Sequence, residues 1–289
     1  MSEATRPAPA QQPQSPQQPQ SQTAQTQRDS LVLESKQDGI ATLTLNRPDK
    51  LNAINKDLAV ALNESLGRLT TDKSIYVVVI TGSGRAFCSG GDLGVIAEGR
   101  KNNDTTELEP LLRAGMHAVL KIRSMAQPVI AMVNGPAAGA GMNIALAAAL
   151  RVASESAIFG QNFIKVGLFP DYGGTYFLPR LVGYSKAAEM FYTGEMIDAR
   201  TALELRIVNR IVPDAQLQAE TMKLARKIAD APSVSIRAMK TALFGNRKLE
   251  LEKALDEEVE QQLKCFKSPD CREGINAFLE KRPPKFHTK

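Results

Sequence analysis

Two loops that follow apolar runs carry small residues, and there the backbone itself can do chemistry. The first loop is GSGRAFCSGGDL at residues 82–93, and the second is NGPAAGAG at residues 134–141. Helices usually begin with a Ser, Thr, Asp or Asn cap, whereas the end of the second loop offers only Gly and Ala. Two bare N–H groups that converge on one point can hold an oxyanion, and a helix start adds positive potential. Tight packing of strand against helix is the alternative reason for such residues.

A nucleotide-binding motif is disfavoured at the first loop. Gly82 and Gly84 follow an apolar run as in G-x-G-x-x-G, but Phe87 stands in the place of the third glycine. The sequence also lacks the Walker pattern GK[ST]. We therefore expect neither NAD nor ATP.

Composition narrows the remaining chemistry. With two His and three Cys in 289 residues, a zinc site or a His-based triad is disfavoured, and no metal is expected. The excess of 36 Lys and Arg over 31 Asp and Glu suits a small anionic ligand. No dense basic stripe is interleaved with aromatic residues, so nucleic acid is not an expected partner. Catalysis would then depend on carboxylates and backbone donors.

Hydropathy and cysteine use predict the environment of the protein. Hydrophobic residues make up 43% of the chain, yet no apolar run approaches the roughly 18 residues that a membrane helix needs. We therefore expect no membrane association. Reduced thiols and the lack of a secretory signal predict a cytoplasmic location.

The sequence is predicted to divide into three parts. Residues 1–29 are rich in Gln, Pro, Ser and Thr without an aliphatic cluster, which is typical of a disordered tail. Residues 30–210 alternate strand-like and helix-like patterns, which indicates an α/β core. Residues 211–289 are mostly helical in pattern and look like an appended helical region.

Local patterns predict individual elements of the core. Asp38-Gly39 lies between two alternating runs, which predicts a β-hairpin. Two apolar runs, SIYVVVITG and PVIAMV, predict buried strands, and residues 106–125 predict a helix. Another helix is predicted by apolar residues at helical spacing, namely Leu58, Leu62, Leu66 and Leu69. From Ser185 onward the pattern is mostly helical.

Five motifs in the same order and separation resemble the crotonase superfamily of enoyl-CoA hydratases and isomerases. They are NRPDKLNAI, GRAFCSGGDL, NGPAAGAG, VGLFPDYGGTYFLPRLVG and AFLEKRPPKF. The resemblance covers about residues 30–287 and leaves out only the tail. It implies a superhelix of ββα repeats with a helical C-terminal region that forms trimers, often as a dimer of trimers. It also implies an acyl-CoA thioester as the substrate, with coenzyme A as part of that substrate and no separate cofactor.

The resemblance assigns roles to positions of this sequence. The backbone N–H groups of Cys88 and Ala140 would hold the thioester oxygen and stabilise an enolate, which places both among the catalytic groups. Segments that match the substrate-binding and CoA-binding motifs contain Leu51, Ala53, Arg85, Ala86, Gly91, Asp92, Leu93, Gly139, Asn143 and Phe163. Of these, Asp92 matches a position that turns the chain after the first loop. Phe278 and Lys281 would reach the CoA of a neighbouring subunit.

The sequence departs from the hydratase pattern at both catalytic glutamates. The matching positions hold Asn143 and Phe163, and neither side chain acts as an acid or base near neutral pH. Asn143 can still orient a water or a substrate oxygen, whereas Phe163 can only exclude water. These departures count against hydration by a pair of glutamates.

One carboxylate remains in a suggestive place, at Asp171 in GLFPDYGG. Several isomerases of the superfamily carry an aspartate there, and the surrounding run looks most like the ring-opening isomerase of phenylacetate breakdown. Partial burial beside Phe169, Pro170 and Tyr172 would raise the pKa of Asp171 from about 4 toward neutrality and make it a better base. Capping of the turn by its side chain is the alternative role.

These residues predict a double-bond isomerase in which Asp171 moves a proton between two carbons of an unsaturated acyl-CoA. The Cys88 thiol is incidental, because a nucleophilic thiolate needs a cationic or His neighbour. Hydration of a 2-enoyl-CoA is the second interpretation, and other enolate chemistry is a third. A non-catalytic acyl-CoA-binding or RNA-binding relative remains the alternative from a different class.

Overall fold

The computed structural model describes residues 30–101, 106, 108–246 and 249–287. The tail predicted at residues 1–29 lies outside the described residues, so its disorder stays a prediction. Within the described residues, no helix combines the length and the apolarity that a membrane crossing needs.

Strands form two sheets. The strands are β1 (Val32–Gln37), β2 (Ile40–Leu45), β3 (Val77–Gly82), β4 (Val129–Val133), β5 (Ala137–Ala138), β6 (Leu150–Ser154), β7 (Ile158–Gly160), β8 (Met196–Asp198) and β9 (Arg210–Val212). The larger sheet has the order β1-β2-β3-β4-β6-β9, and all neighbours are parallel except the antiparallel pair β1–β2. The smaller sheet has the order β5-β7-β8.

Helices follow most strands and fill the C-terminal part. They are α1 (Lys56–Thr71), α2 (Leu93–Lys101), α3 (Leu108–Ser124), α4 (Ala140–Ala147), α5 (Gly174–Val182), α6 (Tyr184–Thr193), α7 (Ala199–Glu204), α8 (Leu217–Ala229), α9 (Ser233–Gly245), α10 (Leu251–Phe266) and α11 (Pro269–Leu279). A short 3-10 helix at Asn162–Val166 precedes α5.

Local sequence signals explain the first elements. Gln37 pairs with Ile40, so Asp38 and Gly39 form a two-residue turn with positive φ at both positions. The predicted hairpin is therefore confirmed. Helix α1 starts at an Asn55 cap, whose side chain accepts a hydrogen bond from the Leu58 N–H at 3.0 Å. The four leucines of the predicted α1 pattern are all buried, and the helix predicted at residues 106–125 is α3.

The central strands β3 and β4 are buried along their whole length, so the sheet is covered on both faces there. Side chains alternate along β3, so Val78 and Ile80 belong to the core with α1 and α3. Val77 and Val79 belong to a second core that contains residues of α8. The loops that contain the predicted catalytic groups follow the carboxyl ends of β3 and β4, so they leave the sheet at the same edge.

The second half contains strands that the sequence pattern does not reveal. β8 and β9 have three residues each and lie between helices, where we expected a mostly helical pattern. The region after Ser185 is mostly helical as expected, and these two strands are its exceptions, because three residues are too few to show an alternation. β9 spans the predicted boundary at residue 210, and α8 then packs against the sheet.

Helix α10 exposes an apolar stripe. Leu251, Leu255, Val259 and Leu263 recur every four residues and are each at least half exposed in the single chain. Such a stripe is typical of a helix that packs against another subunit, and the predicted trimer or dimer of trimers stays a prediction.

Candidate active site

The two predicted loops meet directly. Cys88 and Ala137 form a parallel bridge, in which the Ala138 N–H donates to the Cys88 carbonyl oxygen at 3.0 Å. A methyl group on Gly141 would overlap that same carbonyl oxygen and lie 2.7 Å from the Cys88 Cβ. The small residues of the second loop therefore allow its backbone to touch the first loop, so tight packing accounts for at least Gly141.

Ala140 offers a backbone donor at the start of α4. As the first residue of the helix, its N–H has no acceptor inside the helix, and Gly139 provides no side-chain cap. Gly139 has a φ of +52°, a left-handed conformation that few other residues adopt without strain. The predicted bare helix start is thus present, with the positive end of α4 behind it.

The backbone N–H of Cys88 is not bare. It donates to the Pro136 carbonyl oxygen at 3.1 Å as part of the bridge between the loops. The expectation of two free donors is therefore wrong for this structure, because the parallel bridge engages one of them. The Cys88 side chain is fully buried, and burial raises the pKa of its thiol to about 12, which fits an incidental thiol.

The segment that contains Leu51 and Ala53 is fastened to the first loop. The Asn52 amide nitrogen donates to the Ser83 and Ala86 carbonyl oxygens at 2.9 and 2.8 Å. The Ser89 N–H donates to the Leu51 carbonyl oxygen at 3.0 Å. The predicted CoA-binding positions therefore lie on two segments that are hydrogen-bonded to each other. Of these positions, Arg85 is exposed and Leu51 is half-buried, whereas Ala53 and Ala86 are buried. The sequence did not single out Asn52, because its role depends on hydrogen bonds to Ser83 and Ala86, which are distant in the chain. Asn52 also has a left-handed φ of +56°.

Asp92 lies beyond Gly91 and just before Leu93, the first residue of α2, and it is held by partners. Its carboxylate pairs with Arg47 at 2.9 Å, and it accepts a hydrogen bond from the Gly94 N–H at 3.1 Å. Burial pushes the pKa of Asp92 upward, but the hydrogen bond and the charge of Arg47 lower it overall. The Asp92 carboxylate therefore stabilises the turn after the first loop. Arg47, which the sequence did not single out, holds this carboxylate in place.

Asp171 has the opposite surroundings. Its Oδ1 is buried and has no hydrogen-bond partner within the described part of the chain. Burial raises the pKa of Asp171 from 3.8 to about 7, and its own backbone N–H only partly counteracts this. The Gly174 N–H that follows bonds to the main-chain oxygen of Asp171 at 2.9 Å. The alternative role of Asp171 as a side-chain turn cap is thus not what the structure shows.

Two buried amides anchor the Asp171 loop. The Asn143 Nδ2 donates to the Asp171 main-chain oxygen at 2.8 Å, and the Gln161 Nε2 donates to the Asn143 Oδ1 at 2.7 Å. Asn143 thus holds the loop in place, a role that the sequence did not predict, and its contact with a water or substrate oxygen stays a prediction. The sequence did not predict a role for Gln161 either, because that role consists of its hydrogen bond to Asn143.

Aromatic residues divide between the site and the surface. Phe163 is buried, and its ring would lie 3.4 Å from a methyl group on Gly139, so it closes the site beside α4. Phe169 is 77% exposed and lines an apolar groove of about 720 Å³ with Pro170 and residues of α5 and α6. Phe278, at the end of α11, is 83% exposed and lines a cavity of about 390 Å³ with Cys265 and Cys271.

The structure brings Cys88, Ala140, Asn143 and Asp171 into one connected site, whereas it leaves Phe278 and Lys281 on the surface of the chain. Their predicted contact with a neighbouring subunit's CoA stays a prediction. Among the described residues, no group of three or more His, Cys, Asp or Glu side chains is arranged to hold a metal ion.

A mixed α/β fold with two touching Gly/Ala loops and a helical C-terminal region defines a crotonase-type protein. The family model for enoyl-CoA hydratase/isomerase matches residues 35–289. The chain therefore belongs to the enoyl-CoA hydratase/isomerase family. The predicted superfamily and fold are both confirmed.

Relatives with different names share this fold. A Rhodobacter capsulatus protein named "Probable enoyl-CoA hydratase" is 42% identical over 252 residues, which cover 86% of this chain and 95% of that protein. The 1,2-epoxyphenylacetyl-CoA isomerase of Escherichia coli is 36% identical, covering 89% of this chain and 98% of that protein. A crystal structure of enoyl-CoA hydratase from Mycobacterium smegmatis has a TM-score of 0.83 at 36% identity, covering 89% of this chain and 99% of that chain.

Proposed function

We propose that this enzyme acts on acyl-CoA thioesters and moves a carbon–carbon double bond along the acyl chain, with Asp171 as the base. The observation that carries the proposal is the Asp171 carboxyl: its Oδ1 is buried without a hydrogen-bond partner among the described residues, and burial raises its pKa to about 7, close to neutral working pH. A general base works best when its pKa is close to that pH, because it is then both ionised and basic enough.

The reaction on a 3-enoyl-CoA needs one movable proton. The Asp171 carboxylate takes a proton from Cα, and the electron pair of that C–H bond moves into an extended enolate whose negative charge rests on the thioester oxygen. The protonated carboxyl then returns the proton to Cγ, and the product is a conjugated 2-enoyl-CoA. One carboxyl serves both steps, so the lack of glutamates at positions 143 and 163 is no obstacle.

The backbone at the two loops would stabilise the enolate. The Ala140 N–H, at the positive end of α4, is the primary donor in this scheme, and the Cys88 N–H contributes as a shared donor. Removal of one oxyanion donor in other enzymes costs about 10²–10³ in rate. The anchoring of the Asp171 loop by Asn143, a residue of α4, sets the base at a fixed position relative to the Ala140 donor.

Hydration of a 2-enoyl-CoA is the second candidate, and the name of the 42% identical relative favours it. In that reaction Asp171 would activate a water, but the positions of the two hydratase glutamates hold an amide and a phenyl ring. Addition of water ordinarily uses two groups, a base that activates the water and an acid that protonates Cα. In this scheme Asp171 alone would have to do both.

Absorbance of the conjugated thioester separates these candidates. The purified full-length protein is given a 3-enoyl-CoA and, in a separate sample, crotonyl-CoA. We expect absorbance to rise with the first substrate and to stay constant with the second. A fall with crotonyl-CoA, without a rise for 3-enoyl-CoA, would establish hydration and overturn the isomerase proposal. Binding of both without any change would leave a non-catalytic acyl-CoA-binding protein.

A further inference from the structure

Two buried amides beside the candidate base form a hydrogen-bonded chain whose direction is fixed. The Gln161 Nε2 donates to the Asn143 Oδ1 at 2.7 Å, and the Asn143 Nδ2 donates to the Asp171 main-chain oxygen at 2.8 Å. A main-chain oxygen can only accept a hydrogen bond, so it requires the nitrogen end of the Asn143 amide. The oxygen end of that amide then faces Gln161, which must present its own nitrogen.

The fold accepts a cost to keep this direction. Gln161 and Asn143 are both 0% exposed, and the Gln161 Oε1 has no hydrogen-bond partner among the described residues. A buried acceptor without a partner is destabilising, so its presence needs a specific reason. The need for a donor that is aimed at the Asn143 Oδ1 supplies this reason.

Gly174 confines the Asn143 amide from another side. Gly174 is the first residue of α5, and a methyl group there would lie 2.6 Å from the Asn143 Nδ2 and 2.9 Å from its Oδ1. The Gly174 N–H also donates to the Asp171 main-chain oxygen at 2.9 Å. Two donors, one from α4 and one from the start of α5, therefore hold the same oxygen of the Asp171 loop.

From this geometry we propose that Gln161 is a positioning residue for the reaction, because it fixes the orientation of the Asn143 amide. The Asn143 amide in turn holds the Asp171 loop at a set position relative to the Ala140 donor at the start of α4. Gln161 thus acts through Asn143 rather than on the substrate. The proposal rests on the proposed function, since it takes Asp171 as the base. A displacement of about 1 Å at a reacting group can lower a rate about 100-fold.

Two variants of the full-length protein disturb the Asn143 amide in different ways. Gln161→Met keeps a side chain of similar size but removes both the donor and the unpaired oxygen, so we expect it to fold. Gly174→Ala places a methyl group against the Asn143 Nδ2 and leaves Gln161 in place. Gln127→Met is the matched control. Gln127 is also buried with an unpaired Oε1, but its Nε2 donates to the main-chain oxygen of Leu69 in α1.

We expect Gln161→Met and Gly174→Ala to lower kcat for 3-hexenoyl-CoA about 10- to 100-fold and to change the dissociation constant of butyryl-CoA less than about threefold. Burial raises the pKa of Asp171 to about 7, so a displaced loop that hydrates the carboxyl should lower this pKa toward about 4. The carbon-13 signal of the Asp171 carboxyl, assigned by its absence in Asp171→Asn, measures the pKa without turnover. Gln127→Met should keep the wild-type kcat and the wild-type pKa of Asp171.

A wild-type kcat and an unchanged Asp171 pKa in Gln161→Met would overturn the proposal. Equal losses of kcat in Gln161→Met and Gln127→Met would also overturn it, because a general loss of stability would then explain both. A wild-type pKa of Asp171 in Gly174→Ala would break the link from Asn143 to the base, with the same consequence. Absence of isomerisation in the wild type would contradict the proposed function alone, because the pKa of Asp171 is measured without turnover.

Discussion

Asp92 and Asp171 show how one residue type takes two different roles in one site. Both follow a turn that contains Gly or Pro, and both are half-buried. Asp92 is paired with Arg47 and a backbone N–H, so its pKa is lowered and it stays ionised. Asp171 has an unpaired carboxyl oxygen, and burial raises its pKa to about 7. The partners that the fold supplies, rather than the residue type, separate a structural carboxylate from a reactive one.

The largest effect expected from this contrast is on stability. The pKa of Asp171 is higher in the folded chain than in the unfolded chain, so its contribution is fully present below about pH 4 and is lost as pH rises through about 7. Asp171→Asn removes the cost of ionisation and should stabilise the protein above pH 7, by at most about 4 kcal/mol. At pH 4 the gain should vanish. Urea unfolding at both pH values measures it.

Asp92→Asn is the matched control and should have the opposite sign. The lowered pKa of Asp92 means that its stabilisation is present at neutral pH and is lost as pH falls through the folded-state pKa. We expect Asp92→Asn to destabilise the protein at pH 8 and to approach the wild type on acidification. Stabilisation by Asp92→Asn, or destabilisation by Asp171→Asn at pH 8, would break the contrast between the two carboxylates.

The pH dependence of turnover sharpens the same contrast. Asp171 acts as a base only when ionised, so kcat/KM for a 3-enoyl-CoA should fall below pH 7 and be about 100-fold lower at pH 5 than at its plateau. The midpoint should stay near 7 in Asp92→Asn, because Asp92 is already ionised throughout this range. A midpoint near 4 would show that the Asp171 carboxyl is solvated and that its burial does not govern the reaction.

The smallest effect is expected at Cys88. Its thiol is buried with a pKa raised to about 12, and the role assigned to this residue uses the backbone N–H, which every side chain leaves in place. Cys88→Ala should therefore change kcat by no more than about threefold. The Cβ that contacts Gly141 is retained in alanine. A loss of more than about 100-fold, in a variant that remains folded by circular dichroism, would give the thiol a chemical role.

Local signals allowed much of the fold to be predicted from the sequence. Asp38-Gly39 dictates a tight turn, and the leucines of α1 dictate a helix, because both signals act over a few residues. The family motifs located the two loops and Asp171 for the same reason. β8 and β9 were missed because three-residue strands are stabilised by partners far away in the chain.

The parts of the site that the sequence did not predict depend on long-range contacts. Asn143 anchors a residue 28 positions away, and Cys88 donates its N–H to Pro136 across the bridge between two loops. The seating of Tyr172 against Gly115 joins a loop to a helix far upstream. Neither periodicity nor motif spacing encodes such contacts. The candidate base Asp171, in contrast, could be identified from the motif GLFPDYGG alone.

The isomerisation rate of Asp171→Asn tests the central claim most directly. The rise of absorbance from 3-hexenoyl-CoA is compared among the wild type, Asp171→Asn and Asp92→Asn, with the dissociation constant of butyryl-CoA measured for each protein. We predict that Asp171→Asn loses about 10²–10⁴ in kcat while its binding of butyryl-CoA stays close to that of the wild type. An Asp171→Asn protein that isomerises 3-hexenoyl-CoA at the wild-type rate would contradict the assignment of Asp171 as the base.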